Sequence, residues 1–113
     1  MRMKRYVLFL SVLSLLLMAS ISFAGRSGEE IFQTMACGAC HKMEESTPMN
    51  PSVAKIAEAY QGKKQQLIDY LNGESEPIID PAKANLMKSS LRRTKELPEE
   101  ERVALAEYML SAQ

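Results

Sequence analysis

Four stretches of the chain space their apolar residues three and four apart with polar residues between, the pattern of helices that bury one face. In "SGEEIFQTMA", Ile31, Phe32 and Met35 share a face, Ser27 can cap, and Glu29 and Glu30 suit the positive end. "VAKIAEAY" aligns Val53, Ile56, Ala57 and Tyr60. "QQLIDYLN" aligns Leu67, Ile68 and Leu71 and runs into Gly73, a fitting helix stop. "LPEEERVALAEYML" carries Pro98 and three acids in its first turn and faces Val103, Leu105, Ala106 and Met109 inward. No stretch alternates with the period of two that marks a strand, and Gly62 and residues 74–81 supply the breaks. The pattern predicts an all-α domain of about four helices.

A different pattern opens the chain. Arg2, Lys4 and Arg5 precede a continuous apolar run, "YVLFLSVLSLLLMASIS", and Ser22 and Ala24 then place small residues at the positions a signal peptidase reads. Residues 1–24 are therefore expected to be a secretory signal peptide, cleaved after Ala24, rather than a retained anchor. The run falls short of the roughly 20 apolar residues of a spanning helix. Residues 25–113 would then be a single exported domain, periplasmic and not membrane-spanning. Cleavage removes three basic residues and no acidic ones, leaving 11 basic against 14 acidic residues, a formal charge of −3. That balance argues against nucleic acid as a partner, because phosphate binding needs excess Lys and Arg. A domain this small often leans on a disulfide, metal or cofactor.

The chemistry-bearing residues are concentrated at one place. Both cysteines and the single histidine fall in "MACGACH", as Cys37, Cys40 and His41. A bridge between Cys37 and Cys40 would close too small a loop to stabilise much. A thiol–disulfide motif sits at a helix N-terminus after a strand, whereas a helix precedes this pair. A closed zinc site needs four ligands. Cys37, Cys40 and His41 make three, which Glu44 or Glu45 would have to complete. The remaining reading uses all three residues: in C-x-x-C-H two thiols add to the vinyl groups of one haem and the histidine ligates its iron. An export signal fits, since such attachment happens outside the cytoplasm. One covalent haem c, held through Cys37 and Cys40, is expected.

Here the chain resembles the class I c-type cytochromes of the small bacterial monohaem kind, over nearly all of residues 25–113. Gly28-x-x-x-Phe32 is similar to that family's N-terminal helix, whose glycine allows close crossing by the C-terminal helix. Tyr108 would be the partner position. "NPSVAKIAEAYQGKKQQLIDYLNG" resembles the family's proline, helix, tyrosine-glycine-lysine and second helix. The resemblance implies a cytochrome c-like domain wrapped around one haem, with the Pro51 carbonyl accepting a hydrogen bond from the His41 imidazole. Asn50 stands where the family commonly has glycine, and asparagine tolerates left-handed backbone better than most residues.

The sixth position of the iron remains. With one histidine, a second imidazole is excluded by count. Met1, Met3 and Met18 leave with the leader, Met35 and Met43 lie too close to the attachment motif, and Met109 falls on a core stripe. Met49 and Met87 remain. The resemblance implies Met87, in the long polar stretch "DPAKANLMKSSLRRTKEL", with Met49, Lys88 or an open position as alternatives. A His/Met pair favours Fe(II) and gives a high potential. The expected function is a periplasmic carrier of single electrons, a monomer that meets donor and acceptor redox proteins transiently and is not an enzyme. An open position would instead suit a gas sensor or ligand-binding protein. A peroxidase-like enzyme would lack an obvious general base, a disulfide oxidoreductase would be colourless, and a subunit of a larger complex would share every feature of the free carrier. Lys83, Lys88, Arg92, Arg93 and Lys95 cluster about the Met87 segment and could meet an acidic partner.

Overall fold

Residues 25–112 are described by the computed structural model, and all their regular structure is helical. The expected leader, residues 1–24, lies outside the described residues. Five α-helices follow in order: α1 (Gly28–Thr34), α2 (Val53–Ala59), α3 (Lys64–Leu71), α4 (Lys88–Lys95) and α5 (Glu99–Leu110). Short 3-10 helices cover Cys37–Ala39 and Pro81–Met87.

Local chemistry sets the helix ends. Ser27 and Ser52 cap α1 and α2, their hydroxyls accepting from the Glu30 and Lys55 amides at 3.2 and 3.0 Å. Past the end of α3, Gly73 takes φ +73°, so that its N–H donates to Tyr70 O and the Glu74 N–H to Asp69 O. That Schellman-type closure satisfies the last carbonyls of the helix and needs a residue at ease with positive φ.

The apolar faces read from the sequence meet in one core. Ile31, Phe32, Val53, Ile56, Tyr60, Leu67, Ile68, Leu71, Leu105, Ala106 and Met109 are buried, and Val103 packs half-buried at the margin. Helices α1 and α5 cross closely because Gly28 has no side chain. A Cβ there would lie 2.1 Å from Ala104 O and 2.6 Å from Tyr108 Cβ. Phe32 and Tyr108 meet edge to face at 5.3 Å between centroids, a favourable aromatic arrangement. Beside them Arg26 Nε donates to the buried Glu101 carboxylate at 3.0 Å.

The stretch from Asp80 to Leu97 was expected as a long polar loop, and it is largely helical. "KSSLRRTK" has almost no apolar face, so periodicity could not reveal α4. What sustains the helix is polar. Arg92, Arg93 and Lys95 sit at its negative end, and Arg102 of α5 donates to Lys95 O at that end and to Leu97 O just beyond it. This fifth helix is the addition to the expected count.

Candidate functional site

After α1, Ala36 takes a left-handed φ of 55° and turns the chain into the 3-10 helix of Cys37–Ala39. The Cys40 and His41 amides both donate to Cys37 O, at 3.3 and 2.9 Å, winding the motif into one tight turn. Cys37, Cys40 and His41 thereby line the same cleft. His41 Nδ1 lies 2.8 Å from Pro51 O. A carbonyl can only accept, so Nδ1 carries a proton and donates, which leaves Nε2 as the ring nitrogen that can ligate a metal.

The position of Pro51 is itself determined by the start of α2. The Val53 and Ala54 amides donate to Lys42 O and Met43 O at 2.8 and 2.9 Å, and the Ser52 amide donates to Ser46 Oγ at 2.9 Å. Residues 42–52 are thus folded back onto a helix N-terminus whose own orphan donors they satisfy. Asn50 accepts from the Thr47 amide at 2.9 Å, and its φ is not positive. The turn has no need of the family's glycine.

The cleft encloses about 1150 Å³, its open mouth included. Ile56, Leu67, Leu71, Leu105 and Met109 give it an apolar interior, and Ile79, Leu86, Met87, Ser90 and Thr94 line it from the segment that ends in α4. Met87 ends the Pro81–Met87 helix, is half-buried and lines the cleft. Met49 also lines it but is 55% exposed, while Met35, Met43 and Lys88 are not among its lining residues. The donor set fits a large, flat, mostly apolar group tethered through two thiols, with an imidazole nitrogen and a thioether available to its metal.

Electrostatics separate this site from a thiol redox centre. Burial pushes the Cys37 thiol up, against the opposing pull of Arg93 and a backbone hydrogen bond at Cys37 itself. A reactive redox thiol is instead shifted down, at a helix N-terminus or beside a cation that outweighs burial. Tyr60 and Tyr70 also line the cleft. Burial raises the Tyr60 phenol, partly offset by the Ile78 backbone, and burial followed by the neighbouring Tyr60 raises that of Tyr70. Both therefore present neutral hydroxyls to the interior. Among the described residues, no group of three or more His, Cys, Asp and Glu side chains is placed to hold a metal ion by itself.

Several lining residues carried no signal in the sequence. Tyr70 looks like an ordinary helix position and Thr94 like part of a polar loop, and Tyr60 was legible as core and as part of the family pattern but not as cleft lining. Lys83 was read as surface charge, but it lines the cleft, lies 4.0 Å from Asp80 Oδ2 and donates through Nζ to Pro48 O. It joins the Met87 segment to the loop beside His41. Lys88, Arg92, Arg93 and Lys95 are exposed along α4. Among the described residues no helix is long and apolar enough to cross a membrane.

Compared with known proteins, the chain matches a protein-family model described as Cytochrome c over residues 26–113. A search of curated proteins found no match.

Proposed function

The chain belongs to the cytochrome c family, whose members are haem-based electron carriers, and on that premise we propose that it shuttles single electrons between redox proteins of the periplasm. Cys37 and Cys40 would hold one haem c covalently, and His41 and Met87 would ligate its iron. The observation that carries this reading is that one apolar cleft is lined by both thiols, by Met87 and by the histidine whose Nδ1 is tied to Pro51 O. When bound, the haem supplies an Fe(III)/Fe(II) couple, and a thioether ligand raises its potential.

The chain's own residues do the rest. The Pro51 carbonyl orients the imidazole and increases its basicity. The buried aliphatic lining keeps water from the metal and lowers the local dielectric, which is a lever on potential. With His41 and Met87 both holding the iron, no ligand position would be left for a substrate, which suits electron transfer rather than catalysis. The exposed cations of α4, with Lys83 at the cleft, offer an acidic partner a docking face despite the net negative charge, and association should weaken with salt. The leader pattern at residues 1–24 supports export, and the domain acts as a monomer.

An absorption spectrum of the purified exported form tests this. A haem spectrum is expected, with the weak long-wavelength sulfur-to-iron charge-transfer band in the ferric form and no rapid carbon monoxide binding in the ferrous form. Met87→Ala should abolish the band and open the iron to carbon monoxide. A wild-type protein without the band that binds carbon monoxide at once would move the reading to a gas sensor. A colourless protein would defeat it.

A further inference from the structure

Helix α4 is held by polar anchors rather than by buried apolar surface. Of its eight residues only Thr94 is buried, and its one large apolar side chain, Leu91, is half-buried. Thr94 Oγ1 donates to Leu71 O at 2.7 Å and ties the helix to the end of α3. Arg102, on α5, donates from Nη1 to the carbonyls of Leu97 at 2.7 Å, Lys95 at 3.3 Å and Thr94 at 3.4 Å. Thr94 O and Lys95 O belong to the last turn of α4, and Leu97 O lies two residues past it, so the guanidinium clasps the C-terminal end of the helix, where the macrodipole also favours a cation.

The arginine is costly where it stands. It is only 8% exposed, its Nε has no partner, and among the described residues it makes no salt bridge. A buried guanidinium without a carboxylate is rarely the most stabilising choice for its volume, and a well-packed apolar side chain often does as well or better. What it holds is therefore more telling than what it stabilises. The N-cap residue of α4 is Met87. At about 1.5 Å per residue, eight residues separate that end from the anchored end by roughly 12 Å. A helix is stiff over such a length, so fixing its last turn fixes the direction in which its first turn presents Met87.

We infer that Arg102 is the positioning residue for Met87: through the carbonyls at the end of α4 it determines how firmly the thioether sits on the iron. The inference rests on Met87 as the axial ligand proposed above. Arg102 touches neither haem nor metal and acts only through the helix.

The test compares haem-loaded wild type with Arg102→Met, Arg102→Lys, Thr94→Val and Met87→Ala. Three quantities are read: the ferric charge-transfer band, the rate at which added imidazole displaces the sulfur ligand, and amide hydrogen exchange along each helix. Arg102→Met should keep its haem and helix content. Imidazole should enter about tenfold faster, the factor expected from losing one hydrogen bond to a charged group. Exchange should rise in Lys88–Lys95 and stay unchanged in Gly28–Thr34. Arg102→Lys should recover part of the effect, because an ammonium can still reach a carbonyl. Should Arg102→Met fail to fold, Arg102→Lys and Thr94→Val carry the same readouts, each weakening one anchor of the helix. Unchanged imidazole entry and an unchanged band in the folded Arg102 variants overturn the role of Arg102 while leaving Met87 as ligand. Exchange that rises equally in every helix also overturns it, since that is global destabilisation. A wild-type band that is absent, or that survives Met87→Ala, overturns the ligand assignment and this inference with it.

Discussion

Replacing Gly28 by alanine adds one methyl group, and two opposite outcomes can be argued for it. By intrinsic propensity alanine is better than glycine in a helix by up to about 1 kcal/mol, so a Gly28→Ala protein with room at this position would gain stability. There is no room. The new Cβ would stand 2.1 Å from Ala104 O and 2.8 Å from Ala104 C, where real contacts essentially never fall below 3.0 Å. The obstructing atoms are backbone and cannot rotate away, so α1 and α5 must separate by about 0.9 Å. Overpacking of this kind costs about 1–3 kcal/mol. The shift also loosens the Phe32–Tyr108 pair, worth about 0.5–1.5 kcal/mol beyond its burial. The clash therefore outweighs propensity, and the net loss is about 2 kcal/mol. For a domain of this size that lowers Tm by about 10 °C. Thermal unfolding of residues 25–113, followed by far-ultraviolet circular dichroism, measures it. Gly62→Ala is the contrast: nothing lies within 4 Å of the added Cβ, and its φ of +73° alone should cost roughly 1–2 kcal/mol. A Tm for Gly28→Ala equal to or above wild type would refute the crossing argument.

Three other outcomes are expected. Ser52→Ala removes both the cap of α2 and a buried partner of Ser46, and should cost about 1–2 kcal/mol in thermal unfolding. The raised phenols of Tyr60 and Tyr70 favour the neutral form in the fold, so their contribution is fully present below the ordinary tyrosine value of about 10 and is lost as pH rises through the higher folded values. Phenolate absorption from these two residues should therefore appear only above about pH 10, together with a fall in stability; ionisation below that value in the folded protein would contradict their burial. In a denaturant titration the ferric sulfur band should disappear before the helical signal does, and coincident transitions would show that the Met87 segment is no weaker than the core.

Legibility followed the physical origin of each element. Helices α1, α2, α3 and α5 were readable because burial holds them, and burial leaves a period in the sequence. Ile31 and Phe32, or Leu67, Ile68 and Leu71, are where hydrophobic spacing puts them. Helix α4 was not, since hydrogen bonds from Arg102 and Thr94 hold it, and no spacing rule records a carbonyl satisfied by a side chain of another helix. The cluster of Cys37, Cys40 and His41 was legible because its geometry is local. Proximity of Met87 to the same cleft needed a family resemblance, as nearly fifty residues of chain separate it from His41. Lys83 and Pro48 show the same limit: their hydrogen bond joins positions far apart in sequence, and each alone reads as loop.

The two sides of the proposed iron site are consequently held by different forces. On the His41 side the attachment residues are sequence neighbours, and the carbonyl that orients the imidazole is folded onto α2, whose Val53 and Ala57 are fully buried. Displacing His41 there means unpacking the core. On the Met87 side the segment from Pro81 to Lys95 buries one residue, Thr94, and is held by that hydroxyl, by the Arg102 guanidinium and by the Lys83 contact to Pro48. Local opening is easiest where apolar burial is sparse and hydrogen bonds face water. Each anchor is worth only about 1–3 kcal/mol, whereas freeing α2 would expose several aliphatic side chains at about 1.5–3 kcal/mol apiece. With Met87 as the proposed ligand, its thioether should therefore yield before the His41 imidazole, and residues that never touch the iron would govern how firmly it is held.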